Sequence, residues 1–261
     1  METQNLVSLE KPSEHVILVR LNRPEKRNAL SNSMVIAIAN YLNAGAEDDG
    51  IRAVVLAGSD TAFCAGADIA EVRATSGQAV RNPKRVRAWN AIQNFPKPLI
   101  GAVNGYALGA GNELAMICDF IVCGENAQFG QPEVKIGGMA GDGGTQRLPR
   151  RVGSVVASYM LMSGLPIDAQ TAFRVGHVLE VTSVERTVAR AIEIANVIAA
   201  RAPLAVQATK TCIRACNAAT LENGLAFERE LLASIQQSPD SAEGGYAFLQ
   251  KRAPRFTGRW E

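Results

Sequence analysis

Histidine is scarce: the chain holds only His15 and His177 in 261 residues. That leaves little room for imidazole acid–base chemistry or a histidine-built metal centre, and both residues are read as structural. HExxH, GxxxxGK[ST], GxSxG and EF-hand patterns are all missing, so zincins, P-loop nucleotide enzymes, serine-elbow hydrolases and calcium loops are set aside. GYALGAG (105–111) is glycine-rich, but its spacing is not GxGxxG, and no acidic residue ends a following strand at the distance a dinucleotide fold needs. The five cysteines (64, 118, 123, 212, 216) form no CxxC pair and are odd in number, which predicts free thiols in a reducing cytosol.

Net charge is nearly absent too. There are 27 Lys+Arg against 25 Asp+Glu, a balance that gives no field for nucleic acid. Basic residues cluster at 81–87 and 147–151. Either cluster could meet a phosphate, and the first is read as a solvated helix face. No apolar run reaches the length of a membrane span. The opening METQNLVSLEKPSEHV lacks a basic stretch followed by an apolar one, so neither membrane nor signal peptide is expected, and the cytoplasm is the expected location.

What is present is an α/β pattern. β-rich runs at 15–21, 53–57, 99–103 and 120–123 alternate with helical patterns at 33–44, 78–94 and 110–118. After residue 150 the chain reads as helices at 153–163, 168–175, 185–201, 203–217, 220–236 and 240–251, with one short strand near 178–182. Residues 125–153 join the two textures and hold 7 of the 23 glycines, a density suited to close backbone approach to a ligand.

In GYALGAGNELAMICD (105–119) a single glutamate, Glu113, stands in an otherwise apolar helix start. A charge there is costly unless it is paired or working. A second carboxylate, Glu133, follows in QPE (131–133). Taken separately, each could be an acid in a first helical turn, held by backbone amides. With metals and nucleotides set aside, acid–base chemistry by carboxylates remains.

The stretches LNRPEKRNAL (21–30), FCAGADI (63–69), NGYALGAGNELAMICD (104–119), AQFGQPEVKIG (127–137), GGTQRLPRRVG (143–153) and EGGYAFLQKRAPRFTGR (243–259) resemble the crotonase superfamily, the enoyl-CoA hydratase/isomerase family. The look is nearest to bacterial hydratases of fatty-acid and phenylacetate degradation. The resemblance implies a crotonase-like spiral of ββα units over residues 1–200, with a helical trimerisation region over 201–261. It implies a homotrimer or a dimer of trimers. The substrate it implies is an acyl-CoA thioester, with no other cofactor and no metal.

The same resemblance implies the site. Backbone N–H groups of Ala67 and Ala110 would form an oxyanion hole. Glu113 would activate water and Glu133 would protonate C2, a pair that favours hydration over isomerisation. Arg27, Ala29, Ala65, Asp68, Ile69, Ala70, Tyr106, Pro132 and Gly141 would contact the thioester or its CoA arm. Lys251 would reach a CoA phosphate from a neighbouring subunit. Asp142 departs from the alanine usual at its position. It is read as an N-cap for a helix starting at Gly143, with a third acid that redirects the reaction to isomerisation or C–C hydrolysis as the alternative. A third class, a non-catalytic scaffold that binds RNA, is disfavoured by the balanced charge and the intact glutamate pair.

Overall fold

The computed structural model describes residues 6–75 and 78–261. Residues 1–5, part of the N-terminal stretch read for a signal peptide, and residues 76–77 lie outside them.

Among the described residues ten strands are formed: β1 Val7–Ser13, β2 Val16–Leu21, β3 Ala53–Ala57, β4 Ala62–Cys64, β5 Leu99–Val103, β6 Tyr106–Leu108, β7 Phe120–Gly124, β8 Gln128–Gly130, β9 Ile167–Asp168 and β10 Glu180–Thr182. Helices α1 Asn32–Glu47, α2 Ile69–Ala74, α3 Pro83–Gln93 and α4 Ala110–Ile117 lie among them. Helices α5 Gly144–Ser163, α6 Ala169–Arg174, α7 Thr187–Ala199, α8 Pro203–Ala215, α9 Leu221–Gln236 and α10 Pro239–Leu249 follow.

The strands build two sheets that grow together. One has the order β1-β2-β3-β5-β7-β10, the other β4-β6-β8-β9. Each strand pair β3–β4, β5–β6 and β7–β8 places one strand in each sheet before the chain turns helical, and the neighbours β3, β5, β7 and β4, β6, β8 run parallel. Repetition of ββα with a constant advance is a spiral.

Strands β3 and β5 are apolar and buried along their whole length, as a sheet covered on both faces requires. Leu56, Leu99 and Val103 face a core shared with Met34, Ile38 and Leu42 of α1 and Ile92 of α3. Each such side chain contributes about 1.5–3 kcal/mol by leaving water. On the other face Val16, Val55, Ile100 and Val122 meet α7 through Ala191, Ala195 and Ala199. That i, i+4, i+8 row of small residues lets the helix lie close to the sheet.

Several boundaries differ from the sequence reading. The stretch 78–94 divides into a 3-10 turn, Gln78–Arg81, and α3, because Asn82 caps the helix through the Lys84 N–H and Pro83 takes its first position. Helix α5 begins at Gly144 rather than 153, and the chain breaks helical geometry at Gly153 (φ 78°, ψ 162°) inside it. His15 precedes β2 in a turn, where its Nδ1 lies 2.8 Å from the Gly50 carbonyl oxygen. Among the described residues no single helix is long and apolar enough to cross a membrane.

Candidate active site

The segment 27–30 runs beside 65–68. Ala65 N–H donates to the Arg27 carbonyl (3.0 Å), Leu30 N–H to Gly66 (2.7 Å) and Asp68 N–H to Leu30 (3.0 Å). This ladder leaves the Ala67 N–H without an acceptor among the described residues. Asn28 stabilises the turn from beneath. It is buried in the left-handed region (φ 56°), its amide donates to the Ala62 carbonyl, and its Oδ1 accepts from the Arg23 N–H.

Helix α4 starts on Gly109, whose φ of 53° and ψ of −126° suit glycine. Its N–H donates to Gly130 at 2.9 Å. Ala110 follows with ordinary negative φ, so alanine is tolerated there, and as the first helical residue it has no intrahelical acceptor for its N–H. The start of α4 presses on β4 so closely that a Cβ on Gly111 would lie 2.2 Å from the Cys64 carbonyl oxygen. The strand ends carrying Ala67 and Ala110 therefore converge.

Glu113, 1% exposed, lies in the first turn of α4. Its Oε1 accepts two backbone N–H groups, from Asp142 at 2.8 Å and Gly144 at 2.6 Å. Burial pushes its carboxyl up to about 7; the two donors oppose the shift, while the charges of Asp142 and Glu133 add to it. Glu133 sits in the 3-10 turn Pro132–Ile136 and is raised as well, first by burial. With its amide nitrogen turned toward them, Gln131 donates to Glu133 Oε1 (3.1 Å) and the Gly109 carbonyl (3.3 Å).

Both glutamates line one cavity of about 430 Å³. Ala65, Ala67, Asp68 and Ile69 line it from the loop after β4, and Ala110 lines it from α4. Pro132, Gly141 and Asp142 complete the set on the far wall. Asp68 also caps α2 through the Ala70 and Glu71 N–H groups and pairs with Arg23 at 2.7 Å, which together hold its carboxyl below the usual range. Arg27, Ala29, Ala70 and Tyr106 do not line this cavity. Arg27 and Tyr106 meet outside it, guanidinium carbon to ring centroid 6.0 Å. Exposed Ile136 and Met139 add an apolar lip that the sequence reading did not include.

Asp142 is not the expected helix cap. Gly143 caps α5 without a side-chain bond, and the Asp142 carboxylate is drawn instead to Arg85. Arg85 corrects a second expectation, since it is buried and lines the cavity while Arg81, Lys84 and Arg87 are exposed. The spacing Arg85, Ala88, Trp89, Ile92 puts it on the buried face of α3, a signal present in the sequence. His177 is buried behind the site, its Nε2 3.0 Å from Asn112 Oδ1, and burial pushes it down to about 3, so it stays neutral. Among the described residues no group of three or more His, Cys, Asp or Glu side chains could hold a metal ion.

A two-sheet ββα spiral, with carboxyl groups and free amides at successive strand ends, defines a crotonase-fold protein. The model of the enoyl-CoA hydratase/isomerase family matches residues 11–259. The chain is 46% identical to the 2,3-dehydroadipyl-CoA hydratase of Escherichia coli, over 94% of this chain and 96% of that one. It is 41% identical to a mitochondrial enoyl-CoA hydratase of Pongo abelii, over 92% and 82%. The crystal structure of an enoyl-CoA hydratase from Bacillus anthracis superposes with a TM-score of 0.92 at 35% identity, covering 98% of this chain and all of that one. The chain belongs to the enoyl-CoA hydratase/isomerase family.

Proposed function

We propose that this protein is a 2-enoyl-CoA hydratase, adding water across the C2=C3 bond of a trans-2-enoyl-CoA to give a 3-hydroxyacyl-CoA. One observation carries the reading: a buried glutamate, Glu113, and a half-buried one, Glu133, share a cavity with two backbone N–H groups that have no acceptor among the described residues. The thioester oxygen would be received by the Ala67 and Ala110 amides, where the α4 N-terminus adds positive potential as negative charge develops. Glu113 would take a proton from water as its oxygen bonds to C3. Glu133 would deliver a proton to C2 as the enolate collapses. Burial raises both carboxyls, Glu113 to about 7, which suits it to exchange a proton near neutrality. The Arg85 partner of Asp142 weighs against a reaction in which Asp142 acts as a free third acid.

Arg27, Tyr106, Ala29 and Ala70 would serve the CoA arm beyond the cavity mouth. Helix α9 has no buried residue, and Leu221, Phe248 and Leu249 are about 80% exposed. That surface supports a helical region 201–261 that joins subunits into a trimer or a pair of trimers. Cytoplasmic location belongs to the same reading.

The test follows loss of enoyl-thioester absorbance with crotonyl-CoA and with the dicarboxylic 2,3-dehydroadipyl-CoA named for the Escherichia coli relative. Wild type should hydrate at least one. Glu113→Gln and Glu133→Gln should each lower kcat by about 10²–10⁴. Unchanged turnover in either variant would overturn the assignment.

A further inference from the structure

Asp142 bears on Glu113 by one contact and by its charge. Its backbone N–H donates to Glu113 Oε1, and its carboxylate stands in the same cavity. That carboxylate is held by Arg85 on the buried face of α3. The Asp142 carbonyl accepts from Arg147 of α5 at 2.6 Å, and the same guanidinium reaches Gln93 on α3 at 2.7 Å. Two arginines thus tie the segment 141–144 to α3. The Arg85 side chain is 6% exposed, and its guanidinium carbon lies 5.5 Å from the centroid of Trp89, which restricts it further.

We propose that Arg85 and Asp142 are a positioning pair, which holds two loop N–H groups on Glu113 and keeps the charge beside that carboxylate balanced. The inference rests on Glu113 acting as the base in hydration. Nothing in the family resemblance supplies it, because the usual alanine at position 142 has no carboxylate for Arg85.

The charged groups that act on Glu113 are Asp142 from the loop, Arg147 from α5 and Glu133 from the turn after β8, with Arg85 of α3 one contact away through Asp142. Arg85, with Arg147 beside it, favours the ionised form of Asp142, whose charge raises the Glu113 carboxyl. Without Arg85, the Asp142 charge would be offset only by Arg147 in a poorly screened site, and Glu113 would ionise at higher pH. Without the Asp142 charge, Arg85 would favour the ionised carboxylate, and Glu113 would ionise at lower pH. A tether that acted only mechanically would lower the rate and leave the pH profile in place.

The experiment measures kcat/KM against pH for wild type, Arg85→Met, Arg85→Lys, Asp142→Asn and the double variant Arg85→Met/Asp142→Asn, using an enoyl-CoA that the wild type hydrates. The rising acid limb should move up by about one pH unit in Arg85→Met and down by a similar amount in Asp142→Asn. It should return toward the wild-type position in the double variant and stay near it in Arg85→Lys. Near-ultraviolet circular dichroism checks folding. If Arg85→Met fails to fold, the near-isosteric Asp142→Asn decides: a lowered limb supports the pair and an unmoved one overturns it. Limbs that coincide, or that move in one direction for both single variants, also overturn it. Glu113→Gln separates the two readings. Full activity in that variant, or a wild type inert toward every enoyl-CoA offered, sinks the hydratase reading and this inference together. Loss of activity with coincident limbs sinks the pair alone.

Discussion

The Gly144 N–H lies 2.6 Å from Glu113 Oε1, so the first residue of one helix fixes a carboxylate carried by another. This contact holds the carboxyl in place in a setting that otherwise resists ionisation. Wild-type kcat/KM should rise with pH through a midpoint near the value of about 7 that Glu113 carries. The sign follows from the role: a base must be ionised, and burial delays ionisation. A midpoint at the ordinary carboxylate value would remove Glu113 from that role.

Gly109 faces Glu133. An alanine Cβ there would lie 3.0 Å from Glu133 Oε1, on a backbone with φ of 53°. Gly109→Ala should lose about 1–3 kcal/mol of stability in urea titration from backbone strain. It should also lower kcat/KM by about a hundredfold through misplacement of the carboxyl and the adjoining Ala110 amide. A stable variant with full activity would contradict the described turn.

Lys210 of α8 is buried and joins Asp119 at 2.7 Å, while donating to the Lys97 carbonyl at 2.6 Å. Asp119 in turn accepts from the Leu99 N–H at 2.8 Å. Lys210→Met keeps the packing and strands the carboxylate. It should cost about 1–2 kcal/mol, less than a fully buried pair, because Asp119 is partly open to solvent and Arg214 remains 3.8 Å away. Equilibrium unfolding checks this, and a loss within error would show that the pair contributes nothing net.

Cys64, Cys118 and Cys123 are buried, and burial pushes each thiol up to about 12. Cys212 and Cys216 are less enclosed. Ellman's reagent should therefore titrate at most two thiols in the native protein and five after unfolding. A third fast thiol in the native state would argue against the core packing around β4 or β7.

Legibility in the sequence followed the range of the interactions. The buried strands β3 and β5 could be read because an apolar run flanked by glycine or proline, Gly58 after one and Pro98 before the other, is a local signal. Glu113 could be read because a charge among apolar neighbours has no cheap explanation. Strands β4, β6 and β8, three residues each, could not, since they exist only by pairing with one another across the spiral. Asp142 was misread for a similar reason: next to a helix start a cap is the local expectation, and its partner lies 57 residues away. For Arg85 the helical spacing was available, but the charge cluster around it suggested solvent.

The chain meets the cavity at one recurring address. Ala67 comes just after β4, Ala110 just after β6 and Glu133 just after β8, and these three strands are neighbours in the small sheet. The site is thus a column of equivalent landings on successive flights of one staircase. Its alignment depends on the length of each flight more than on the identity of the side chains that fill it. One residue inserted into any of these strands would slide a landing by about 3.3 Å and turn its neighbours over. Two of the three landings offer backbone, so much of the composition around them is free to drift while the count of residues between them is not.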